Sequence, residues 1–518
     1  MRPRFLPAPR SSYNPSIMQK VSTLWDLIGQ APASSTALIV PDSDVRLTYA
    51  DLREQVGAAA DLFASAGIRP GERVAIALPN GVPTLVCFLA ATIAGTAAPL
   101  NPAYRREEFD FFLEDTSAKL LIVPPEGAAE ARTAAAARKI PTASVALGAS
   151  GKLVFSDLTK TKNAAPPSPE HVALVLHTSG TTGRPKRVPL RHRNLATSAA
   201  NVAATYALTP ADVSMCVMPL FHVHGLVASV LATLLTGGAI VVPERFSAGS
   251  FWQHVAEGHA TWYTAVPTIH QILLNRADGQ RPAGAEHLRF IRSCSSALSP
   301  DTMRQMEERF GVPVLQAYGM TEASHQMASN PLPPRERKPG SVGVATGVEI
   351  SIVDENGNHL KTGAAGEVVI RGPAVMDGYE NNSEANARSF TNGWFRTGDQ
   401  GVLDDAGYLR LVGRLKEMIN RGGEKISPLE IDDLLMSCPK VAEAVSFGVE
   451  HPTYGEEVAA AVVLREPASE SELLAYCKAH LADYKCPKKI YVVDAIPRTA
   501  TGKIQRGAVA AAIKAGAV

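Results

Sequence analysis

From about Thr48 onward, apolar positions alternate between helical and strand-like spacing. Thr48 and Asp51 form a capping-box start, and Leu52, Val56, Ala59, Phe63 and Ala66 recur at helical intervals before Gly67 supplies a stop. The runs RVAIAL (73–78), KLLIVP (119–124) and ALVLHT (173–178) are predominantly apolar, with no alternation of polar and apolar positions in their interiors. Such runs predict strands buried on both faces between helices, hence parallel α/β layers. The uncharged stretch Gly81–Tyr104 is long enough to suggest a membrane span, but Pro83, Gly95, Pro99 and Asn101 divide it into a short helix, a turn and a strand. An Ala-rich surface helix is expected over 127–138 and a linker over 166–169. After about Gly413 the pattern becomes shorter in period and compact, which predicts a separate α+β unit.

Composition narrows this picture. A chain of 518 residues is about three times a typical single domain, so two or more domains are expected. Lys+Arg 51 against Asp+Glu 50 leaves no bulk field to attract nucleic acid or an anionic membrane. The six cysteines are dispersed without a CxxC pair, which suits reduced thiols in a cytoplasmic setting rather than disulfides or zinc. Residues 1–20 carry Arg2, Arg4, Arg10 and Lys20, and no acid occurs before Asp26. The prolines at 3, 7, 9 and 15 interrupt any amphipathic targeting helix, so a disordered arm, or a start upstream of Met18, is expected. An organellar address on this basic arm is the alternative.

The segment TSGTTGRPK, Thr178–Lys186, follows the strand ALVLHT directly. Gly180 and Gly183 permit close backbone approach, the hydroxyls of Thr178, Ser179, Thr181 and Thr182 can surround phosphate oxygens, and Lys186 adds a point charge. It is not a Walker A loop, because GxxxxGK[ST] is absent.

With YGMTE (Tyr318–Glu322), WFRTGD (Trp394–Asp399), GRLKE (Gly413–Glu417), GGEKISP (Gly422–Pro428) and PRTATGK (Pro497–Lys503) following in order, the chain resembles the acyl-adenylate-forming (AMP-binding) superfamily of acyl-CoA synthetases, luciferases and adenylation domains. The resemblance implies a large multi-sheet α/β N-terminal domain over 21–413, a hinge at 414–416 and a small mobile α+β domain over 417–518, with the active site between them. It implies ATP, Mg²⁺ and coenzyme A as cofactor and co-substrates. Lys503, Glu322 and Thr181 would carry catalysis, with Glu322 as the Mg²⁺ ligand and Lys503 bridging carboxylate and α-phosphate. ATP would lie against the 178–183 loop, Lys186, Tyr318, Gly319, Met320, Thr321, Asp399 and Arg414. Tyr318 would stack on adenine, or simply pack in the core. Lys416 would be the pivot, and Gly422, Gly423 and Glu424 would border the CoA tunnel. Lys485, Lys488 and Lys489 read as a solvated face.

Three segments should line the acyl pocket: FHVHG (Phe221–Gly225), RSCSSAL (Arg292–Leu298) and ASHQM (Ala323–Met327). They carry hydroxyls and imidazoles where a fatty-acid enzyme needs an apolar cavity. Cys294-Ser295-Ser296 stands where relatives commonly have a Gly-Gly-Ala-like run. With NPAY (101–104) and RKPGSVG (337–343), these segments resemble the oxalate–CoA ligase subfamily of plants and fungi. That resemblance implies an ATP-dependent acid–thiol ligase making oxalyl-CoA through oxalyl-AMP, with His224, Ser295 and His325 holding oxalate. A ligase for another short, medium-chain or aromatic acid is the alternative. A non-catalytic nucleotide-binding scaffold is disfavoured by the intact set Glu322, Asp399, Arg414 and Lys503.

Overall fold

In the computed structural model, described for residues 21–178, 185–277, 279–499 and 503–515, helix Tyr49–Ser65 begins and ends as its sequence dictates. The Thr48 hydroxyl accepts from the Asp51 N–H (3.1 Å), and the Asp51 carboxylate accepts from the Thr48 N–H (2.9 Å). Leu52, Val56, Ala59 and Phe63 are fully buried. Ala66 differs from expectation: it is the exposed cap residue, and the buried face runs instead through Ala60 and Ala64. Beyond it the Ile68 N–H reaches the Phe63 carbonyl and the Gly67 N–H the Ala64 carbonyl. Gly67 takes φ +99°, a left-handed turn that glycine adopts without strain.

Four sheets are present among the described residues. In a seven-stranded sheet, Arg73–Ile76, Thr96–Pro99, Leu120–Val123 and Val172–Thr178 form the parallel centre. The uncharged segment before Tyr104 becomes helix Val82–Ala94 and strand Thr96–Pro99, and no described helix is long and apolar enough to cross a membrane. A nine-stranded sheet sets Val213–Met215, Trp262–Ala265, Phe290–Ser293 and Val314–Met320 parallel. The hairpin return His325–Ser329 then pairs antiparallel to Val314–Met320. The carboxyl ends of parallel strands are where α/β sheets present ligand-binding groups. A five-stranded antiparallel sheet, Glu349–Arg414, follows.

The last sheet spans Ile419–Val492 and is covered by helices Pro428–Ser437, Glu470–His480 and Arg506–Lys514. It has apolar clusters of its own, one around Ile431, Leu435 and Val458 and another around Val445 and Phe447. Turn residues 415–417 join it to the preceding sheet. Ser427 donates across this junction to the Val412 carbonyl, and Lys425 pairs with Glu355 at 3.5 Å.

Burial disfavours the charged form of three histidines in the large region, His192, His222 and His270. His192 accepts from the Leu24 N–H (3.1 Å) and bonds the Thr92 carbonyl (2.9 Å), tying two helices together. Burial lowers its pKa to about 4, and lowers those of His222 and His270 to about 3. Their folded values lie below the ordinary 6.5, so the unfolded chain takes up protons first. Stability is therefore fully present above about pH 6.5 and falls as pH drops towards 3–4, by up to about 1.4 kcal/mol per pH unit for each histidine. Urea midpoints between pH 7.5 and 5 should decline accordingly, and a flat profile would contradict these assignments.

Candidate active site

Thr264 and Arg292 are direct cross-strand partners on neighbouring parallel strands, so their side chains leave the sheet on one face. Arg292 is fully buried. It donates to Thr264 Oγ1 (2.9 Å), to the Tyr206 hydroxyl (2.8 Å) and to Gln326 Oε1 (3.0 Å). Its Nη1 lies 3.3 Å from His224 Nε2, and its Nη2 lies 3.4 Å from His325 Nδ1. Gln326 is held from its other end by Thr205 and Thr346.

His224 opens a π-helical segment, His224–Leu231, whose wider turn sends its imidazole to Thr264 Oγ1 (2.6 Å) and Ser295 Oγ (3.0 Å). The His224 and His325 rings lie 5.1 Å apart. Burial holds both pKa values well below the ordinary imidazole value, and the charge of Arg292 adds to this. Ser295, Ser324 and His325 all have positive φ, at +73°, +53° and +120°. Non-glycine residues adopt this region at a cost, and sites are where such strain collects. The turn also needs Gly319, because a Cβ there would lie 2.3 Å from the His325 carbonyl oxygen.

A second group of side chains adjoins this one. Tyr318, Met320, Thr321 and Glu322 run from the end of strand Val314–Met320 into a 3-10 turn. The buried Tyr318 donates its hydroxyl to Asp399, which also pairs with Arg414 at 3.0 Å. Burial raises the Asp399 pKa against the pull of Arg414. Glu322 is buried and accepts from the Tyr379 hydroxyl at 2.8 Å, while Lys186 Nζ lies 4.6 Å from the centre of the Tyr379 ring. Lys503 reaches this group from the C-terminal unit. Burial lowers its pKa, Arg414 lowers it further, and Cys294, Glu322 and Asp399 oppose the shift. His222 and His325 both feel its charge.

The fold thus brings His224, Ser295 and His325 together, and sets Lys503 against Glu322, Asp399 and Arg414. Thr178 pairs with Lys186 across the mouth of the glycine-rich loop. Ser179, Gly180, Thr181, Thr182 and Gly183 lie outside the described residues. Lys416 is exposed in the turn between the last two sheets, and Gly422, Gly423 and Glu424 sit at an exposed hairpin tip away from the cluster. Lys485 and Lys489 pair with Glu430 and Glu470 on the surface. Among the described residues, no three His, Cys, Asp or Glu side chains form a metal-holding group. Arg292, Thr264 and Tyr379 were not singled out by sequence reasoning. The signal for Arg292 was a charge directly after the apolar pair Phe290-Ile291 in a short strand; Thr264 and Tyr379 carried none.

Comparison with known proteins identifies the family. The profile of AMP-binding enzymes matches residues 26–380, and that of the AMP-binding enzyme C-terminal domain matches 430–503. An oxalate–CoA ligase of Arabidopsis thaliana is 50% identical over 477 residues, 90% of this chain and 93% of that protein. An oxalate–CoA ligase of Saccharomyces cerevisiae is 44% identical, covering 92% and 94%. The crystal structure of ATP-bound MatB from Rhodopseudomonas palustris superposes with a TM-score of 0.88 at 31% identity, over 95% of this chain and 99% of that one. By its sequence over nearly its whole length, and by a fold shared with ATP-bound MatB, the chain belongs to the AMP-binding enzyme family.

Proposed function

We propose that this protein is an ATP-dependent acid–thiol ligase that converts oxalate to oxalyl-CoA. One oxalate oxygen attacks the α-phosphorus of ATP, the bond to pyrophosphate breaks, and oxalyl-AMP forms. The CoA thiol then attacks the oxalyl carbonyl carbon, and AMP leaves.

The observation that carries this reading is the short, donor-lined group of Ser295, His224 and His325 beside Lys503. A fatty tail placed against these side chains would leave buried polar groups unpaired, which is costly, whereas a second carboxylate satisfies them. Lys503 would hold the attacking carboxylate against the α-phosphate, where negative charge accumulates. Asp399 accepts hydrogen bonds and suits the ribose hydroxyls, with Arg414 as its partner. Glu322 is a buried carboxylate with no salt-bridge partner among the described residues, which fits a Mg²⁺ ligand. When bound, that ion supplies charge neutralisation to the phosphate oxygens.

The thioester step would follow rotation of the C-terminal unit. Arg414 is held to Asp399 on the large side, while Glu417 is held by Arg506 (3.3 Å) on the small side. Lys416 lies between these two anchors and would be the pivot that absorbs the rotation. The turn at Gly422, Gly423 and Glu424 would then border the path of the CoA thiol.

ATP–pyrophosphate exchange screened with oxalate, malonate, octanoate and benzoate tests the reading. Exchange should be strongest with oxalate, and Ser295→Ala should raise the KM for oxalate about 10-fold or more through loss of one hydrogen bond to a charged group. Exchange with octanoate but not oxalate would refute the assignment.

A further inference from the structure

We propose that Arg292 is a positioning residue that makes this site selective for a doubly charged acid, by fixing the proton positions of His224 and His325 and by supplying positive charge for the second carboxylate to offset. The proposal rests on the oxalate reading above and extends it to a residue outside the substrate's direct reach.

A guanidinium donates hydrogen bonds and accepts none. Thr264 Oγ1 accepts from Arg292 at 2.9 Å, so its own proton is directed to its other close neighbour, His224 Nε2, at 2.6 Å. Arg292 Nη1 also faces that nitrogen at 3.3 Å. Nε2 is therefore an acceptor, and the neutral ring carries its proton on Nδ1, 3.0 Å from Ser295 Oγ. Ser295 receives that bond and turns its own proton outward. On the opposite side, Arg292 Nη2 faces His325 Nδ1 at 3.4 Å, which leaves the His325 proton on Nε2. One buried cation thus orders the group so that Ser295 and His325 each present a donor, with His224 acting through Ser295.

The charge itself has no internal counterion. Among the described residues no carboxylate pairs with Arg292; its neighbours are Tyr206, Gln326, Thr264, the two imidazoles and the Cys294 thiol. An uncompensated buried charge is destabilising, and an anionic ligand removes that penalty. A dianion gains from this where a monoacid with a neutral tail does not. The depressed imidazole pKa values agree with the same arrangement: burial is their main cause, and the charge of Arg292, joined at His325 by that of Lys503, adds to it.

Two measurements on the full-length protein decide the proposal. In ¹⁵N-histidine spectra, the ligand-free wild type should show His224 as the Nδ1–H tautomer and His325 as the Nε2–H tautomer; Arg292→Met should lose both preferences. The opposite tautomers in the wild type would overturn the proposal, whatever the substrate proves to be. In adenylation assays, oxalate is compared with oxamate, whose second carboxylate is replaced by a neutral amide. Arg292→Met should raise the KM for oxalate about 100-fold, leave that for oxamate within about 3-fold, and change kcat little. Arg292→Lys should recover at least about a tenth of the lost selectivity. Equal losses for the two acids, or a fall in kcat at constant KM, would assign Arg292 a purely structural role and overturn the proposal. Should Arg292→Met fail to fold, Arg292→Lys and Thr264→Val carry the same comparison, with Thr264→Val expected to free the His224 tautomer. A wild type that adenylates neither acid would refute the oxalate reading alone, and the spectra would still judge Arg292.

Discussion

Lys503→Ala is expected to lower adenylate formation about 100- to 1,000-fold, the loss typical of removing one preorganised group that stabilises developing charge. Conversion of supplied oxalyl-AMP to oxalyl-CoA should stay within about threefold of wild type. The contrast follows from where Lys503 sits: its amine is desolvated beside Glu322, Asp399 and Arg414 and close enough to His325 to shift that imidazole. A cation there would offset the charge that builds up as the carboxylate attacks the α-phosphate, a build-up that belongs to the first half-reaction. Pyrophosphate exchange measures that step, and thioester formation from synthetic adenylate measures the second. Equal losses in both would show that Lys503 supports the fold of the site instead of the adenylation chemistry.

Asp432→Ala should cost about 3–5 kcal/mol in the C-terminal unit, the range for stranding one partner of a buried ion pair. The Asp432 carboxylate accepts from the Ser446 N–H (2.5 Å), the Ser446 hydroxyl (2.6 Å) and Arg506 (2.8 Å). Arg506 also reaches the Ser446 carbonyl and Glu417, so one pair joins helix Pro428–Ser437, strand Val441–His451 and helix Arg506–Lys514 to the turn at 415–417. Burial raises the Asp432 pKa even though Arg506 pulls it down, while the Asp432 carboxylate raises the Arg506 pKa. The cost of Asp432→Ala therefore comes from the guanidinium left behind. Asp432→Ala with Arg506→Met should be less destabilised than Asp432→Ala alone in urea unfolding; a double variant that is simply the sum would contradict this account.

Much of the local structure was legible in the sequence because its causes are local. Thr48 and Asp51 cap a helix from three residues apart, and Gly67 ends it because the left-handed conformation suits glycine. The error at Ala66 came from carrying the helical period one residue past the last turn. The nine-stranded order was beyond reach, since nothing in TWYTAV announces that it pairs with FIRS. The same division governs the site. Glu322, Asp399, Arg414 and Lys503 stand in contiguous motifs whose composition is itself the signal. Arg292 gains its meaning only when strand register sets it beside Thr264, and when a hairpin return brings His325 and Gln326 over it. Tyr379 likewise becomes informative through Lys186 and Glu322, residues far from it in the chain.

The π-helical turn at His224 makes the site sensitive to chain length as well as to side-chain identity. Its wide turns include one whose Ala232 N–H bonds the Val227 carbonyl five residues back, as though one residue had been inserted into an α-helix. Deleting a single residue between Leu226 and Leu231 would let the backbone relax to ordinary α-helical pitch and keep an apolar, buried sequence. It would also change the rise between His224 and the rest of the helix, and with it the approach of its imidazole to Thr264 and Ser295. A neutral-looking deletion in a mostly hydrophobic stretch would then disturb the contacts of His224 with Thr264 and Ser295 while every residue that makes them remained in the gene.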